Sequence, residues 1–397
     1  MICIENERNC CGCAACAEVC PANCIMMIPG TLGAVYPKVN TDKCLQCEMC
    51  DEVCPMQHAE EMKKVPEHQT VYAAYSKDPQ LRKAGSSGGI FGVLATILIS
   101  QDYRVYGAGF DETLQLRCMW ADNWQELKPL MKSKYLQSDL SNAYSQILKD
   151  LQQGRRVLFV STPCQITALK RYLRKDYENL LTIDFLCHGV PSQIFFNRCK
   201  AYEEEKYGKR ILSYSFRTKI PGGTTPHYFT LQTEKNGKKK IVTKPYFQST
   251  FYAFFQKYIT LRESCYDCTF SERGRVSDIT IGDFHDIEKY VPDINRFEGV
   301  STVIVNTPNG ESLFECAKDQ LWVRPFNMQQ LMTDRVLFSE KTKRPAGRDQ
   351  FADDYKNMEF HSFINRHLDK KRYVFFAVYY RLPKSVRTVL RRICHIK

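Results

Sequence analysis

Residues 10–21 read CCGCAACAEVCP, and residues 44–55 read CLQCEMCDEVCP. Both follow one pattern, C-x2-C-x2-C-x3-C-P. Disulfides need no such regularity. A cubane iron–sulfur cluster does, because three closely spaced thiolates must converge on three corners of one small cage. The fourth corner comes from a distance, and in two-cluster chains of this spacing the last cysteine of each run ligates the other cluster. The pattern therefore assigns Cys10, Cys13, Cys16 and Cys54 to one 4Fe–4S cluster. Cys44, Cys47, Cys50 and Cys20 take a second, and Pro21 and Pro55 turn the chain back after each run. Structural zinc also accepts four cysteines, but it prefers two C-x2-4-C pairs over three cysteines in tight succession. Cys3, Cys11 and Cys24 fall outside the spacing and read as packing residues.

Around these motifs lies a chain of 397 residues, long enough for two or three domains and a substantial core. A hydrophobic fraction of 44% and a charged fraction of 25% are ordinary globular values. The opening MICIENERNC has no charged segment followed by an apolar core, and the longest apolar run, Ile90–Ile99, is too short to cross a bilayer. A soluble, cytoplasmic protein without a transmembrane segment is expected. Nineteen cysteines in a reducing compartment, clustered as C-x2-C, read as metal binding and not as disulfides. The formal charge of +12 overstates the basic surface, because each oxidised cluster with its four thiolates carries about −2. Nucleic acid is therefore not an expected partner. An acidic redox partner or a phosphorylated cofactor would use the same charge.

Residues 1–60 form a self-contained segment, with IMMIPGTLGAVYPKVNTDK reading as a short hairpin between the cysteine runs. A polar linker is expected at 61–70. From 71 to 330 strands and helices alternate: TVYAAYS, RVYGAGFD, RRVLFV and NLLTIDF read as strands, and SSGGIFGVLATILIS as a helix capped by Ser86 or Ser87. The later part is more β-like, with Asn236-Gly237 between two strand patterns as a hairpin signal. Residues 331–397 are a basic, aromatic extension ending KRYVFFAVYYRLPKSVRTVLRRICHIK. It reads as an amphipathic helix packed on the body, with a peripheral membrane or partner contact as the alternative.

Clusters move single electrons, so the rest of the chain must hold something that gives or takes them. Neither G-x-G-x-x-G after a strand nor G-x-x-x-x-G-K-[ST] occurs. AGSSGG, residues 84–89, opens an apolar helix, where small residues and free N–H groups would suit a phosphate or a flavin carbonyl. Close helix packing would ask for the same residues. SSGGIFGVLA, VYGAGFDE, KSKYLQSDL, STPCQITALKRYL, LLTIDFLCHGVPS and CYDCTFSERGRVSDITIGDF together resemble the coenzyme F420 hydrogenase/dehydrogenase beta-subunit family, from about Val71 to about Asn306. The resemblance implies an iron–sulfur flavoprotein that binds FAD, with a two-cluster ferredoxin domain as a common N-terminal fusion. It implies flavin contacts from Ser86, Ser87, Gly88 and Gly89, from Ser133, Lys134 and Tyr135, and from Thr162, Pro163 and Gln165. His188 in CHGVPS could deliver a proton or simply bond the backbone, and no catalytic acid is assigned.

Four of the remaining cysteines form a further pattern. Cys164 follows the strand VLFV and Cys187 the strand LLTIDF, so both would face one crevice if those strands are neighbours in a parallel sheet. With the C-x2-C pair Cys265 and Cys268 they complete a third 4Fe–4S site, zinc or simple packing being the alternatives. The expected class is thus α+β and multidomain: a small bacterial-type ferredoxin domain followed by an α/β flavin-binding domain. The expected function is an oxidoreductase passing electrons between its clusters and a flavin that exchanges hydride with a two-electron carrier such as coenzyme F420, or with a substrate. The partners are a redox protein or ferredoxin and that small molecule. Two alternatives stand beside it: a ferredoxin-dependent flavin reductase of an unrelated substrate, and a non-catalytic relay subunit of a larger complex.

Overall fold

The computed structural model describes residues 1–60, 66, 68–220, 228–329, 331, 341–369, 375, 378, 379, 382 and 386. The terminal amphipathic helix expected in the basic extension therefore lies, apart from isolated positions, outside the described residues. By internal packing the chain divides into two compact units, residues 1–195 with 261–344, and residues 196–260 with 345–397.

The first unit opens with the cysteine loops. Each ends in one helical turn, α1 (Ala15–Glu18) before a hairpin of β1 (Ile25–Pro29) and β2 (Val35–Val39), and α2 (Met49–Glu52) after it. The hairpin pairs antiparallel from Ile25–Val39 to Pro29–Val35. There follow β3 (Thr70–Ser76), α3 (Pro79–Ala84), α4 (Ile90–Ser100), β4 (Tyr103–Phe110), β5 (Leu116–Ala121), α5 (Trp124–Leu130) and α6 (Ala143–Gln152). Next come β6 (Arg156–Val160), α7 (Pro163–Leu173), β7 (Leu180–Phe185) and α8 (Gln193–Tyr207). From Phe196 the chain belongs to the second unit. There β8 (Arg210–Thr218), β9 (Tyr228–Lys235) and β10 (Lys238–Pro245) form a three-stranded antiparallel sheet, followed by α9 (Thr250–Phe255). Asn236 and Gly237 both have positive φ at the β9–β10 turn, as the hairpin signal requires. The chain returns to the first unit for β11 (Ile279–Asp283), β12 (Ser301–Val305), α10 (Pro308–Ala317) and β13 (Leu321–Phe326). It closes in the second unit with α11 (Arg348–Asn357) and α12 (Phe360–His367).

The first unit is organised by an eight-stranded sheet of order β13-β3-β12-β11-β7-β6-β4-β5. The middle strands β11, β7, β6 and β4 run parallel, and antiparallel strands flank them on both sides. Strands β6 and β12 are buried along nearly their whole length, as unbroken apolar runs covered on both faces should be. On one face α4, α5 and α10 bring Val93, Leu94, Leu127, Leu130 and Phe314 against Val105, Leu158, Ile183 and Val303. On the other, α6 and α7 pack Tyr144, Ile147, Ile166 and Leu169 against Val157 and Phe159, and Cys11, Cys13, Ala15 and Val53 of the cysteine loops join that same cluster. Tyr144 donates to the Cys13 carbonyl at 3.0 Å. The cysteine loops are thus built into the core of the unit.

The start of α4 departs from the sequence expectation. Its N-cap is Gly89, in the left-handed region, with no side-chain cap. Ser87 instead donates to the Val300 carbonyl at 2.6 Å, and the Ser86 hydroxyl accepts from the Ser133 N–H at 2.7 Å. The serines tie the turn to its neighbours and leave the helix end uncapped.

The second unit has an aromatic core. Phe196 meets Tyr214 and Phe251 edge to face, and Phe254 meets Phe351 in the same way. Among the described residues no helix is long and apolar enough to cross a membrane.

Candidate functional site

The twin cysteine loops are twins in backbone as well as in spacing. Gly12 and Gln46 both adopt positive φ, and so do Ala14 and Glu48, the N-caps of α1 and α2. This bend turns the N–H of Gly12 onto the Cys10 sulfur and the N–H of Gln46 onto the Cys44 sulfur, each at 3.4 Å. Backbone donors of this kind stabilise thiolate charge. The two sets differ in exposure. Cys10, Cys13, Cys16 and Cys54 are all buried, and the thiol of Cys16 lies within electrostatic reach of Cys10 and Cys54. Cys20, Cys44, Cys47 and Cys50 surround one cavity near the surface, and Cys47 is exposed. Cys24 lies beside this outer set, its sulfur 3.4 Å from that of Cys20.

The parallel sheet creates a third gathering. Strands β6 and β7 are neighbours, paired from Val157–Leu180 to Val160–Ile183. The loops leaving their C-terminal ends therefore emerge side by side and carry Cys164 and Cys187 to one cavity. Cys265 and Cys268 line that cavity too, from a short 3-10 turn over Glu263–Asp267. The Gly189 N–H lies 3.4 Å from the Cys187 sulfur, repeating the geometry of the twin loops. At Gly189, with φ of +109°, a β-carbon would stand 2.7 Å from that of Cys265, so the close approach itself requires glycine. Burial, with the neighbouring thiols, pushes Cys187 up to about 12 and Cys268 up to about 11. Cation binding at such a site must release protons. The four thiols surround a space and do not converge on a point: among the described residues no three His, Cys, Asp or Glu side chains are set to hold a single metal ion. Their chemistry and buried, N–H-lined setting fit a sulfur-bridged cage.

Cys11, which the spacing leaves as a packing residue, does more than pack. It lines this third cavity, and its buried thiol lies within electrostatic reach of Cys13 and Cys164.

The residues that resemblance assigns to a flavin fall in two groups. Ser86, Ser87, Gly88 and Gly89 lie at the turn before α4, where Ser133 meets Ser86 through both its N–H and its hydroxyl, at 2.7 and 2.9 Å. A β-carbon on Gly88 would stand 2.3 Å from the Ala74 carbonyl oxygen, and one on Gly89 2.9 Å from the Arg82 Cα. Packing against the chain's own backbone thus accounts for both glycines. Lys134 is half-buried with its ammonium on the Met131 carbonyl at 2.7 Å, and desolvation, with Lys132 nearby, pushes it down to about 7. A desolvated ammonium with one carbonyl partner suits an anionic group. Tyr135 beside it is half-buried. Thr162, Pro163 and Gln165 lie with the third cysteine set: all three line its cavity, and the Thr162 hydroxyl is 3.3 Å from the Cys164 sulfur. His188 lines it as well, and its carbonyl accepts from Thr342.

One loop connects these groups. From Ser133 at Ser86 it runs to Gln137, whose amide donates to the carbonyls of Cys11 and Gly12 at 2.9 and 2.7 Å, and to Ser138 beside Gln165. Gln137 and Ser138 carry no signal of their own in the sequence, although both stand inside the motif KSKYLQSDL. Nor does Arg262, which holds the Cys10 carbonyl at 2.7 Å.

Residues 154–328 match the model of the family described as the C terminus of the beta subunit of coenzyme F420 hydrogenase/dehydrogenase. Among solved structures, a chain of the xenon-derivatised F420-reducing NiFe hydrogenase complex from Methanosarcina barkeri is similar at 17% identity and a TM-score of 0.45, covering 66% of this chain and 86% of that one. No curated protein matches the chain. The matched region holds all four cysteines of the third set, and residues 154–328 are similar to the coenzyme F420 hydrogenase/dehydrogenase beta-subunit family.

Proposed function

We propose that the protein is an iron–sulfur flavoprotein oxidoreductase of the beta-subunit type, holding three 4Fe–4S clusters and FAD. The observation that carries this reading is the convergence of Cys164, Cys187, Cys265 and Cys268 on one cavity that Thr162, Gln165 and Cys11 also line. When bound, the clusters supply single-electron transfer, and the flavin joins it to two-electron hydride exchange with a carrier such as coenzyme F420. Cys10, Cys13, Cys16 and Cys54 would hold the inner cluster of the twin pair, and Cys20, Cys44, Cys47 and Cys50 the outer one. The exposed Cys47 places the outer set where a redox partner protein can approach. Cys11, one residue from Cys10 of the inner set, lines the cavity of the third, which supports a short path between them. Ser86 and Ser133 would position the flavin through hydroxyl and N–H groups, and Lys134 would hold its proton against an anionic or carbonyl oxygen. The family description is that of a subunit, which supports a partner protein in the electron path.

The test is anaerobic purification followed by iron, sulfide and flavin analysis. Roughly twelve irons per chain and one released flavin are expected. Protein with the full iron content that neither releases nor binds FAD would end the flavoprotein reading. Comparing turnover with reduced ferredoxin and with reduced coenzyme F420 then identifies the carrier.

A further inference from the structure

Arg262 is 2% exposed, and among the described residues no carboxylate pairs with it. Its guanidinium is fully engaged with neutral groups and one sulfur. Nε donates to the Cys10 carbonyl at 2.7 Å, Nη1 to the Gln137 amide oxygen at 3.0 Å, and Nη2 to the Val35 carbonyl at 2.6 Å and the Cys10 sulfur at 3.4 Å. The plane stacks on the Tyr36 ring with 4.2 Å between Cζ and the ring centroid. A buried charge without a counter-charge is strongly unfavourable, so a guanidinium in this place calls for an anion.

The twin loop supplies an internal comparison. Gly12 and Gln46 share one backbone conformation, so positive φ alone does not demand glycine here. A β-carbon on Gly12 would stand 2.3 Å from Nη1 of Arg262, whereas Gln46 is exposed. The glycine is there to admit the arginine. Among the described residues no guanidinium bonds a sulfur of Cys20, Cys44, Cys47 or Cys50. The loops share their backbone bends and sulfur-directed N–H groups and differ in burial and in the buried cation that one of them carries.

We propose that Arg262 is the built-in counter-ion of the inner cluster at Cys10, Cys13, Cys16 and Cys54, making that site easier to reduce than its twin. The inference rests on the reading that both twin sets hold clusters. Uptake of one electron from a one-electron donor adds one negative charge and moves no bond or proton, and the guanidinium is the group placed to meet that charge. The low local dielectric makes its effect large, where an exposed lysine or arginine would be screened. Arg262 acts here as a positioning residue, and it also begins the turn that carries Cys265, whose N–H bonds the Arg262 carbonyl at 3.0 Å.

The experiment is an EPR-monitored redox titration of the full-length protein purified without air, with iron content measured on each sample. The variants are Arg262→Gln, Arg262→Lys and Arg8→Gln, and the third site's signal is identified by its loss in Cys164→Ser. In Arg262→Gln one twin midpoint potential is expected to shift to more negative values while the other stays. Arg262→Lys shifts it less, and Arg8→Gln, which removes an exposed charge from the same loop, shifts neither. Full iron with unmoved potentials in Arg262→Gln overturns the proposal. If that variant does not load the inner site, Arg262→Lys decides. Loading at nearly the native potential upholds the counter-ion role, and failure to load shows a loop clamp and overturns it. Native protein with fewer than roughly eight irons would instead remove the twin-cluster reading itself.

Discussion

Cys11, in the first cysteine loop, and Cys164, at the start of α7, line one cavity, so two cysteine sets far apart along the chain meet there. The arrangement asks which of the two is a ligand. Cys164→Ser is expected to lower the iron content from roughly twelve to roughly eight per chain, and Cys11→Ser to leave it at roughly twelve. Loss of iron in Cys11→Ser, with Cys164→Ser unchanged, would exchange their roles.

Gly12 and Gln46 should respond differently to the same substitution. Gly12→Ala forces a β-carbon to 2.5 Å from the Arg262 Cζ and 2.7 Å from the Gln137 amide nitrogen. Displacing the clamp is expected to destabilise the inner set by about 1–3 kcal/mol. Gln46→Ala, already left-handed and exposed, should change stability by less than about 0.5 kcal/mol. Anaerobic denaturation followed by loss of cluster absorbance compares the two.

If Lys134 contacts the proposed flavin, binding should depend on pH in a definite direction. Burial depresses its folded value to about 7 from the ordinary 10.5. The unfolded chain therefore binds more protons across that window, and stability contributed by this residue rises as pH rises from 7 towards 10. An anionic ligand needs the protonated form, so affinity for FAD should fall as pH rises above 7, by up to about tenfold per unit. Lys134→Met is expected to bind weakly and with a flat pH profile. A flat profile in the native protein would take Lys134 off the flavin.

Glu203 gives the second unit an opposite sensitivity. It is buried, accepts the Thr250 N–H at 2.6 Å, and burial raises it from 4.5 to about 7. Its contribution is fully present below the unfolded value and is lost as pH rises through about 7. Glu203→Gln keeps an acceptor for Thr250 and removes the titration. At pH 8 the variant should be the more stable by on the order of 2–4 kcal/mol. Hydrogen exchange of the β8 and β9 amides at pH 5 and pH 8 would show it, and equal protection in both proteins would refute it.

Asp184 and Arg275 form a buried ion pair at 3.6 Å, 0% and 1% exposed, behind the third cysteine set. Burial raises the Asp184 carboxyl despite the arginine, so the pair is held at a cost. Arg275→Met should destabilise the protein by about 3–5 kcal/mol, and adding Asp184→Asn should recover much of that loss. Thermal unfolding of the two variants side by side is the measurement.

Much of this is legible in the sequence because it is local. The twin runs announce a shared local bend, and the runs VLFV and LLTIDF with a cysteine shortly after each place Cys164 and Cys187 at strand ends. That β6 and β7 are neighbours is the one further fact needed, and the sheet supplies it. Asn236-Gly237 likewise announces its own turn. What cannot be read are partnerships across long stretches of chain. Arg262 meets Cys10 over 252 residues and Gln137 meets Cys11 over 126, and no periodicity connects such pairs. The serines before α4 mislead for a related reason, since Ser87 finds an acceptor 213 residues away instead of the helix end beside it.

The unequal burial of the twin sets has a consequence for how the protein is made. Cys10, Cys13, Cys16 and Cys54 are buried, Cys10 against Arg262 and Cys13 against the α6–α7 face, whereas Cys47 is exposed. Iron and sulfide can reach the outer set after the chain has folded. They would reach the inner set most readily before the body closes over it. If both sets hold clusters as proposed, maturation is expected to run from the inside outward, and an iron-starved cell would accumulate chains that can be completed at the surface but no longer repaired at the centre.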